Sequence, residues 1–184
     1  RQSVFNAVHK DYLLEQAEYP YFMITPRVKS PDTQLPFFKE IYNAIMSRTK
    51  MLLTYDSAGA EKTVKSWPFA FIMCDGMWYL GYLLEPEKGG PQEIRTMRCD
   101  HIQRVETLDG EIFEKPDWVK KTLKEARNIW FNRERNIKVT LEINNSIKQY
   151  FQLSEYFPLQ KIVSEGKDTF LVETMIDNPY EVIP

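Results

Sequence analysis

The chain has 184 residues and a formal net charge of −2, and 43% of its residues are hydrophobic. This length and apolar content suffice for one large domain or two small ones with a real core. The near-neutral charge argues against a protein whose whole surface binds nucleic acid. The longest apolar run, from Trp67 to Cys74, is far shorter than the roughly 20 residues of a membrane helix, so no membrane span is predicted.

The two ends of the chain and its cysteines bear on the cellular location. The N-terminus lacks a charged start followed by an apolar stretch, so no signal peptide is predicted. The sequence begins at Arg1 without a methionine, and we expect a further segment upstream. Cys74 and Cys99 cannot make a disulfide framework, and both are predicted to be buried strand residues in a reducing compartment. The expected location is therefore the cytoplasm.

The first third of the chain contains two predicted helices. Residues 1–35 are predicted to form a short N-terminal helix and a proline-rich linker. The segment that follows places apolar residues at the spacing of an amphipathic helix, with Pro36 suited to its first turn. The residues of that predicted apolar face are Phe38, Ile41, Tyr42, Ile45 and Met46.

From Met51 the apolar period becomes that of β-strands. Short aromatic and β-branched runs are separated by turn-like sequences, and the runs are MLLTYDS, VKSWPFAFIM, MWYLGYLL and EIRTMRCDHIQRVETL. A helix followed by about five such strands favours a small antiparallel β-barrel over residues 36–115, because closure removes exposed sheet edges. The predicted core stripe of the third run is Trp78, Leu80, Tyr82 and Leu84.

A connecting helix is predicted over residues 116–136. Asp117 is its candidate cap, and the predicted apolar face consists of Val119, Leu123, Ala126 and Trp130. Lysine and arginine are in surplus over residues 118–138. A solvated helix is the favoured interpretation of this surplus, and a phosphate-facing patch is the alternative.

The last segment, residues 137–184, is predicted to run strand, helix, strand, strand. The four sequences are IKVTLEIN, SIKQYFQLSEYF with Asn144 or Asn145 as cap, QKIVSEG and TFLVETMI. A βαββ order is typical of part of a ferredoxin-like module, which needs a further helix and strand, so we expect the chain to end one element early. The predicted fold class is α+β.

The barrel segment resembles the WYL domain, a family named for three residues that stand here as Trp78, Tyr79 and Leu80. The surrounding pattern agrees, with Ala44 and Ile45 in the helix, Tyr55 at a strand end, Pro68, Gly76, and RTMRCDHI at 95–102. That last stretch is similar to the family's R-x-F-R-L-D-R-I, from which Met97, Cys99 and His101 depart. VTLEI and FPLQ, after residue 130, are similar to the extension that follows many WYL domains.

The resemblance implies the ligand-sensing part of a bacterial transcriptional regulator. It implies an Sm-like or SH3-like barrel, an upstream winged helix-turn-helix that reads double-stranded DNA, and a C-terminal extension that helps a homodimer to form. Ligands associated with the family are nucleotides and single-stranded nucleic acids. Residues 1–35 carry no resemblance.

The candidate ligand-binding residues are Arg95, Arg98, Tyr79, Tyr55, His101 and Lys65. Guanidinium groups pair with phosphates and stack on bases, and tyrosine rings stack on bases. Arg95 and Arg98 face opposite sides of a regular strand, so both reach one pocket only through a bulge or a curled strand end. The hypothesis requires both guanidinium groups to be unpaired beside a tyrosine. The alternatives that involve no ligand are an ion pair of Arg98 with Asp100 or Glu93, a half-buried Tyr79 and a surface His101.

An enzyme is not predicted. The sequence offers no Cys–His or Ser–His arrangement and no spacing for zinc, so we assign no catalytic residue, metal or cofactor. The alternative function is a protein-interaction or dimerisation module without a small ligand, in which the arginines form internal salt bridges. An aromatic content of 14% could supply such an interface.

Overall fold

A computed structural model describes residues 35–86 and 90–183, which form helices and two antiparallel sheets. The α+β class is as predicted. The predicted N-terminal helix and linker fall on residues 1–35 and lie outside the described residues, except for Leu35.

The first described helix, α1 (Phe38–Ser47), begins two residues after Pro36. Ile41 and Ala44 are its buried residues, whereas Tyr42 and Met46 are exposed. The predicted apolar face was therefore too wide. The buried face is centred on Ile41 and Ala44, Ile45 packs beside them as a partly buried residue, and the side with Tyr42 and Met46 faces solvent.

A five-stranded antiparallel sheet follows α1, in the order β4-β3-β2-β1-β5. Its strands are β1 (Thr49–Ser57), β2 (Ala60–Cys74), β3 (Met77–Leu84), β4 (Ile94–Arg98) and β5 (Ile102–Ile112). The last predicted run contained two of them, because a 3₁₀ turn (Cys99–His101) separates β4 from β5.

The sheet is curled but open. β4 and β5 lie at opposite edges, yet only Cys99–His101 joins them. In a flat sheet these edges would be about 19 Å apart at 4.8 Å per strand, whereas the four peptide units from Arg98 to Ile102 span at most about 15 Å. The sheet must therefore bend until its edges approach. Within the described residues no ladder joins β4 to β5, so the prediction of a closed barrel is wrong.

The strand β3, next to the edge strand β4, is buried on both faces. Trp78, Leu80 and Tyr82 pack inside the curl with α1, which confirms most of the predicted stripe, although Leu84 is only partly buried. On the opposite face, Leu83 packs in a second cluster under the helix α2 (Asp117–Glu125). The sequence periodicity did not predict this second contact.

The helix α2 is shorter than predicted. Its cap position is Pro116 without a side-chain hydrogen bond, so Asp117 lies in the first turn instead of capping it. Residues 126–136, all described, contain neither helix nor strand, and Trp130 is 51% exposed. This connecting segment is fixed by Phe131, which enters the second cluster, and by bonds from side chains such as Asn128 to the backbone of Tyr180.

The C-terminal module follows the predicted βαββ order. Its sheet has the order β6-β8-β7, and its elements are β6 (Ile137–Asn144), α3 (Lys148–Leu153), β7 (Lys161–Glu165) and β8 (Thr169–Ile176). The helix is shorter than predicted, because a 3₁₀ turn (Asn145–Ile147) precedes it; the Asn144 side chain caps that turn by accepting from the Ser146 N–H. A last 3₁₀ turn (Pro179–Glu181) packs against the connecting segment. None of the described helices has the length and apolar content that crossing a membrane requires.

Candidate ligand-binding cavity

An open cavity of about 510 Å³ lies beside the edge strand β4. Its size falls within the roughly 300–1,000 Å³ of small-molecule sites. Its lining combines apolar and aromatic side chains with two arginines and a histidine. The lining residues are Tyr55, Asp56, Val64, Tyr82, Leu84, Arg95, Thr96, Met97, Arg98 and His101.

The cavity borders the open edge of β4. Four consecutive residues, 95–98, line it, although successive side chains of a strand face opposite sides. Only the edge of the strand can be reached from both sides. The hydrogen bond from the Leu84 N–H to the Glu93 carbonyl fixes the phase of the β3–β4 ladder. The backbone groups of Thr96 and Arg98 therefore point toward the open edge, where they add polar groups to the cavity.

Each arginine lies beside a tyrosine of β3, but on different faces. Arg95 is directly opposite Tyr82 and Arg98 is directly opposite Tyr79. Tyr82 is in the core, and burial together with the nearby Tyr55 raises its pKa to about 12. Burial also raises the pKa of Tyr79. Both phenols are therefore neutral hydrogen-bond donors at physiological pH. Since Arg95 and Arg98 lie on different faces of β4, their side chains can approach each other only around the strand edge.

Both guanidinium groups are paired with carboxylates two residues away. Arg98 binds Asp100 through Nε to Oδ1 at 3.0 Å and through Nη2 to Oδ2 at 2.6 Å, and Arg95 Nη2 binds Glu93 Oε2. The Arg98 hydrogen bond lowers the pKa of Asp100 and raises that of Arg98. The requirement that the arginines be unpaired is therefore not met. Their side chains remain accessible, since Arg95 is 55% and Arg98 40% exposed.

A sequence model described as the WYL domain matches residues 36–107. The chain carries a WYL domain. A solved structure of proteasome accessory factor B/C (PafBC) of Arthrobacter aurescens is similar, with a TM-score of 0.41 and 17% identity over 83% of this chain. The chain spans about a fifth of that chain, 22%. No curated protein matches the chain at a significant level.

The residues that give the WYL domain its name divide between the two faces of β3. Trp78 and Leu80 are buried inside the curl, as predicted. Tyr79 is described but does not line the cavity, because it faces outward beside Arg98. It can act on a ligand only if that ligand extends around the edge of β4.

Lys65 also lies outside the cavity of the WYL domain. Its Nζ is 2.5 Å from Glu111 Oε2, and this hydrogen bond raises the pKa of Lys65. Lys50, paired with Glu85 at 3.0 Å, extends the same network and lies over the Trp67 ring. This network binds β1, β2 and β5 together, so the structure places Lys65 in a structural role and not with the other predicted site residues.

Tyr55 and His101 line the cavity, as does Asp56, which the sequence analysis did not single out. Asp56 Oδ1 accepts the Gly59 N–H at 2.9 Å, so its carboxylate closes the β1–β2 turn and faces the cavity. The adjacent sequence Tyr55-Asp56, three residues before a turn glycine, is the signal that could have identified it. Thr96 was also missed, since a lone strand threonine carries no functional signal.

The basic residues between positions 127 and 138 each contact an acidic or aromatic side chain, whereas the three lysines of α2, Lys120, Lys121 and Lys124, are exposed. Arg127 binds Glu155, Lys138 binds Glu173 at 2.7 Å, and Arg133 lies over the Trp118 ring at 5.1 Å. Arg135 is buried between Glu125 and Glu181. These pairings disfavour the phosphate-facing patch. The favoured interpretation, a solvated helix, is also not fully met, because the Arg135 side chain is buried.

The cysteines of the WYL domain have the properties of structural thiols. Cys99 is buried as predicted, but it lies in the 3₁₀ turn and not in a strand. Cys74 lies in a strand as predicted, but it is only half-buried. Burial raises the pKa of Cys99 to about 12 and also raises that of Cys74, so both are protonated at neutral pH. The described residues contain no cluster of His, Cys, Asp and Glu side chains that could hold a metal ion.

Proposed function

We propose that this chain is the ligand-sensing portion of a bacterial DNA-binding transcriptional regulator that acts in the cytoplasm. The observation that carries the proposal is the cavity of the WYL domain, whose lining brings Arg95 and Arg98 together with Tyr55. Phosphate oxygens would accept hydrogen bonds from the two arginines, and a base would stack on the tyrosine ring. The proposed ligand is therefore a nucleotide or a single-stranded nucleic acid.

Ligand binding would act on a DNA-binding domain upstream of the chain. A ligand that binds one conformation of a homodimer better than another shifts the population between them. In the proposed regulator, one conformation presents the winged helix-turn-helix to double-stranded DNA and the other does not. His101, which is exposed and lines the cavity, can add a ring N–H donor to a phosphate.

The direct test is fluorescence anisotropy with a fluorescein-labelled single strand of mixed sequence, at two salt concentrations. Arg95→Ala should raise the Kd by about tenfold, the usual effect of losing a charged hydrogen bond to phosphate. Lys65→Ala is the matched control, because it removes the same charge from a side chain that binds Glu111 outside the cavity. The control should change the Kd less than about twofold. Equal effects of the two variants, or no binding of any strand or nucleotide, would count against the proposal.

A second candidate is the protein-interaction module, and one observation favours it. The helix-side surface of the C-terminal module exposes large apolar side chains, and Leu153 is 84% exposed. The residues concerned are Ile147, Tyr150, Leu153, Tyr156 and Leu159. A homodimer held by this surface should be dissociated by Leu153→Glu in light scattering. A stable dimer that binds no oligonucleotide or nucleotide would favour this function over ligand sensing.

A further inference from the structure

We propose that Glu93 and Asp100 are internal competitors for the ligand, each occupying one arginine of the cavity until an anion displaces it. The inference rests on the proposed function and concerns the regulation of the same cavity. Its consequence is that the cavity favours ligands with two or more negative charges, because one anionic group can displace only one carboxylate.

The Arg98–Asp100 pair occupies the part of the guanidinium that suits a phosphate best. Nε and Nη2 form a fork that matches the two oxygens of a carboxylate or a phosphate. Asp100 already fills this fork, with contacts of 3.0 Å and 2.6 Å. A ligand that binds Arg98 through the same fork must therefore expel Asp100. Only the far end of the guanidinium, with Nη1 and the second N–H of Nη2, stays free while Asp100 is bound.

Local backbone geometry keeps each acid beside its arginine. Residues two apart on an extended chain share a face, so Glu93 lies beside Arg95. Asp100 reaches Arg98 from the 3₁₀ turn Cys99–His101, which begins directly after β4. Arg95 and Arg98 face opposite sides of β4. The two pairs therefore open independently, and a ligand that opens both must extend around the strand edge with an anionic group on each side.

The competition is weak enough for a ligand to overcome. All four side chains are partly exposed, from 26% for Asp100 to 55% for Arg95. Exposed ion pairs of this kind favour the closed form by about twofold, which leaves the arginine free about one third of the time. An arginine that is free for a fraction of the time binds with an affinity reduced by that fraction, so each acid should weaken ligand binding by about threefold.

The test is anisotropy with the labelled single strand on the whole chain, in wild type, Glu93→Gln, Asp100→Asn and the double variant. Each single variant should lower the Kd by about threefold and the double variant by about tenfold. Glu165→Gln is the control, because it also removes one carboxylate from an exposed ion pair, with Lys148 at 2.5 Å, but in the C-terminal module. It should leave the Kd within about 1.5-fold, which measures the effect of net charge alone.

The outcomes separate this inference from the proposed function. Binding by wild type that Glu93→Gln and Asp100→Asn leave unchanged overturns the competition and leaves the proposed function standing. Binding that appears only in the double variant supports both. No binding by any variant, with unfolding midpoints that show each to be folded, overturns both. Asp100→Asn keeps the shape and the acceptor oxygen of the side chain, so the 3₁₀ turn at Cys99–His101 should persist.

Discussion

The side-chain hydroxyl of Thr96 donates a hydrogen bond to the backbone carbonyl of Ile129, with 3.2 Å between the two oxygens. Thr96 lines the cavity, and Ile129 lies in the connecting segment between α2 and β6. Beside Ile129, Asn128 donates to the Tyr180 carbonyl at 3.0 Å, and Asn178 donates to the Trp130 carbonyl at 2.9 Å. A series of hydrogen bonds therefore connects β4 to the C-terminal 3₁₀ turn through the connecting segment.

Thr96→Val should loosen the connecting segment from the WYL domain. The variant keeps the shape of the side chain and removes the donor, so the partly buried Ile129 carbonyl loses its bond. The expected loss is about 1 kcal/mol in the free energy of unfolding. Amide hydrogen exchange measured by mass spectrometry should become faster in residues 126–133 and 177–182.

Thr140→Val is the control for this prediction, because Thr140 is an exposed residue of β6. It should change the free energy of unfolding by less than about 0.5 kcal/mol. If Thr96→Val accelerates exchange only within β4, other contacts hold the connecting segment. The Thr96 hydrogen bond would then not couple the cavity to the C-terminal turn.

The strands of the WYL domain could be predicted because their residues report local geometry. Turn residues such as Asp75-Gly76 mark where the chain reverses, and the aromatic runs between turns match β2 and β3 within a few residues. Closure of the barrel could not be predicted in this way, since it depends on whether β4 meets β5 after the turn at Cys99–His101. The predicted length of the connecting helix was wrong for a similar reason. Trp130 fits the helical period, but hydrogen bonds to Asn178 and Asn128 hold it outside a helix.

The candidate site was predicted in part. Arg95, Arg98, Tyr55 and His101 share the cavity, although sequence alternation alone places the two arginines apart. The open strand edge reconciles these facts, and no local pattern reports which strand lies at an edge. The pairing of both arginines and the structural use of Lys65 follow from partners in space, and Glu111, 46 positions after Lys65 in the sequence, gives no local signal.

Gly81→Ala should destabilise the WYL domain through a clash with Phe69. A Cβ at position 81 would lie 2.6 Å from Phe69 Cε2 and 2.8 Å from its Cζ, which is closer than real contacts allow. Phe69 occupies the bulge of β2 between Pro68 and Ala70, so its ring is fixed over this glycine. The expected loss is about 1–3 kcal/mol in chemical denaturation.

The test of this mechanism is rescue by a smaller partner. Phe69→Leu alone should also destabilise the protein, because it removes buried apolar surface. Combined with Gly81→Ala, it should cost less than the sum of the two single variants by about 1 kcal/mol or more. Strict additivity would show that Phe69 moves aside and that the cost has another origin.

Arg135→Met should cost far more stability than the loss of an exposed ion pair. Arg135 and Glu181 are 3% and 1% exposed, and Arg135 Nε lies 2.9 Å from Glu181 Oε2. The same guanidinium binds Glu125 at the end of α2 at 3.1 Å. Its loss leaves the buried Glu181 carboxylate without a cation, with the Asp177 N–H as its remaining donor. The free energy of unfolding should fall by about 3–5 kcal/mol.

Lys138→Met is the matched control for Arg135, because it cuts an ion pair with Glu173 in which the lysine is 58% exposed. A loss below about 1 kcal/mol is expected. Comparable losses for the two variants would mean that the Arg135 carboxylate partners are hydrated once the arginine is gone.

Stability should fall as the pH rises from about 10 to 12, with Tyr82 as a principal cause. Burial raises the pKa of Tyr82 to about 12 in the folded protein, against about 10 for an exposed tyrosine. Between these values the unfolded chain has lost the phenolic proton and the folded chain retains it, so each pH unit lowers the free energy of unfolding by about 1.4 kcal/mol. The buried Cys99, whose pKa is also raised to about 12, adds a second decline that begins at lower pH.

Tyr82→Phe should flatten the curve of unfolding free energy against pH, and Tyr156→Phe, at an exposed tyrosine, should leave it unchanged. Parallel curves for wild type and Tyr82→Phe would show that the Tyr82 phenol reaches solvent, which would place an open path between the cavity and the core.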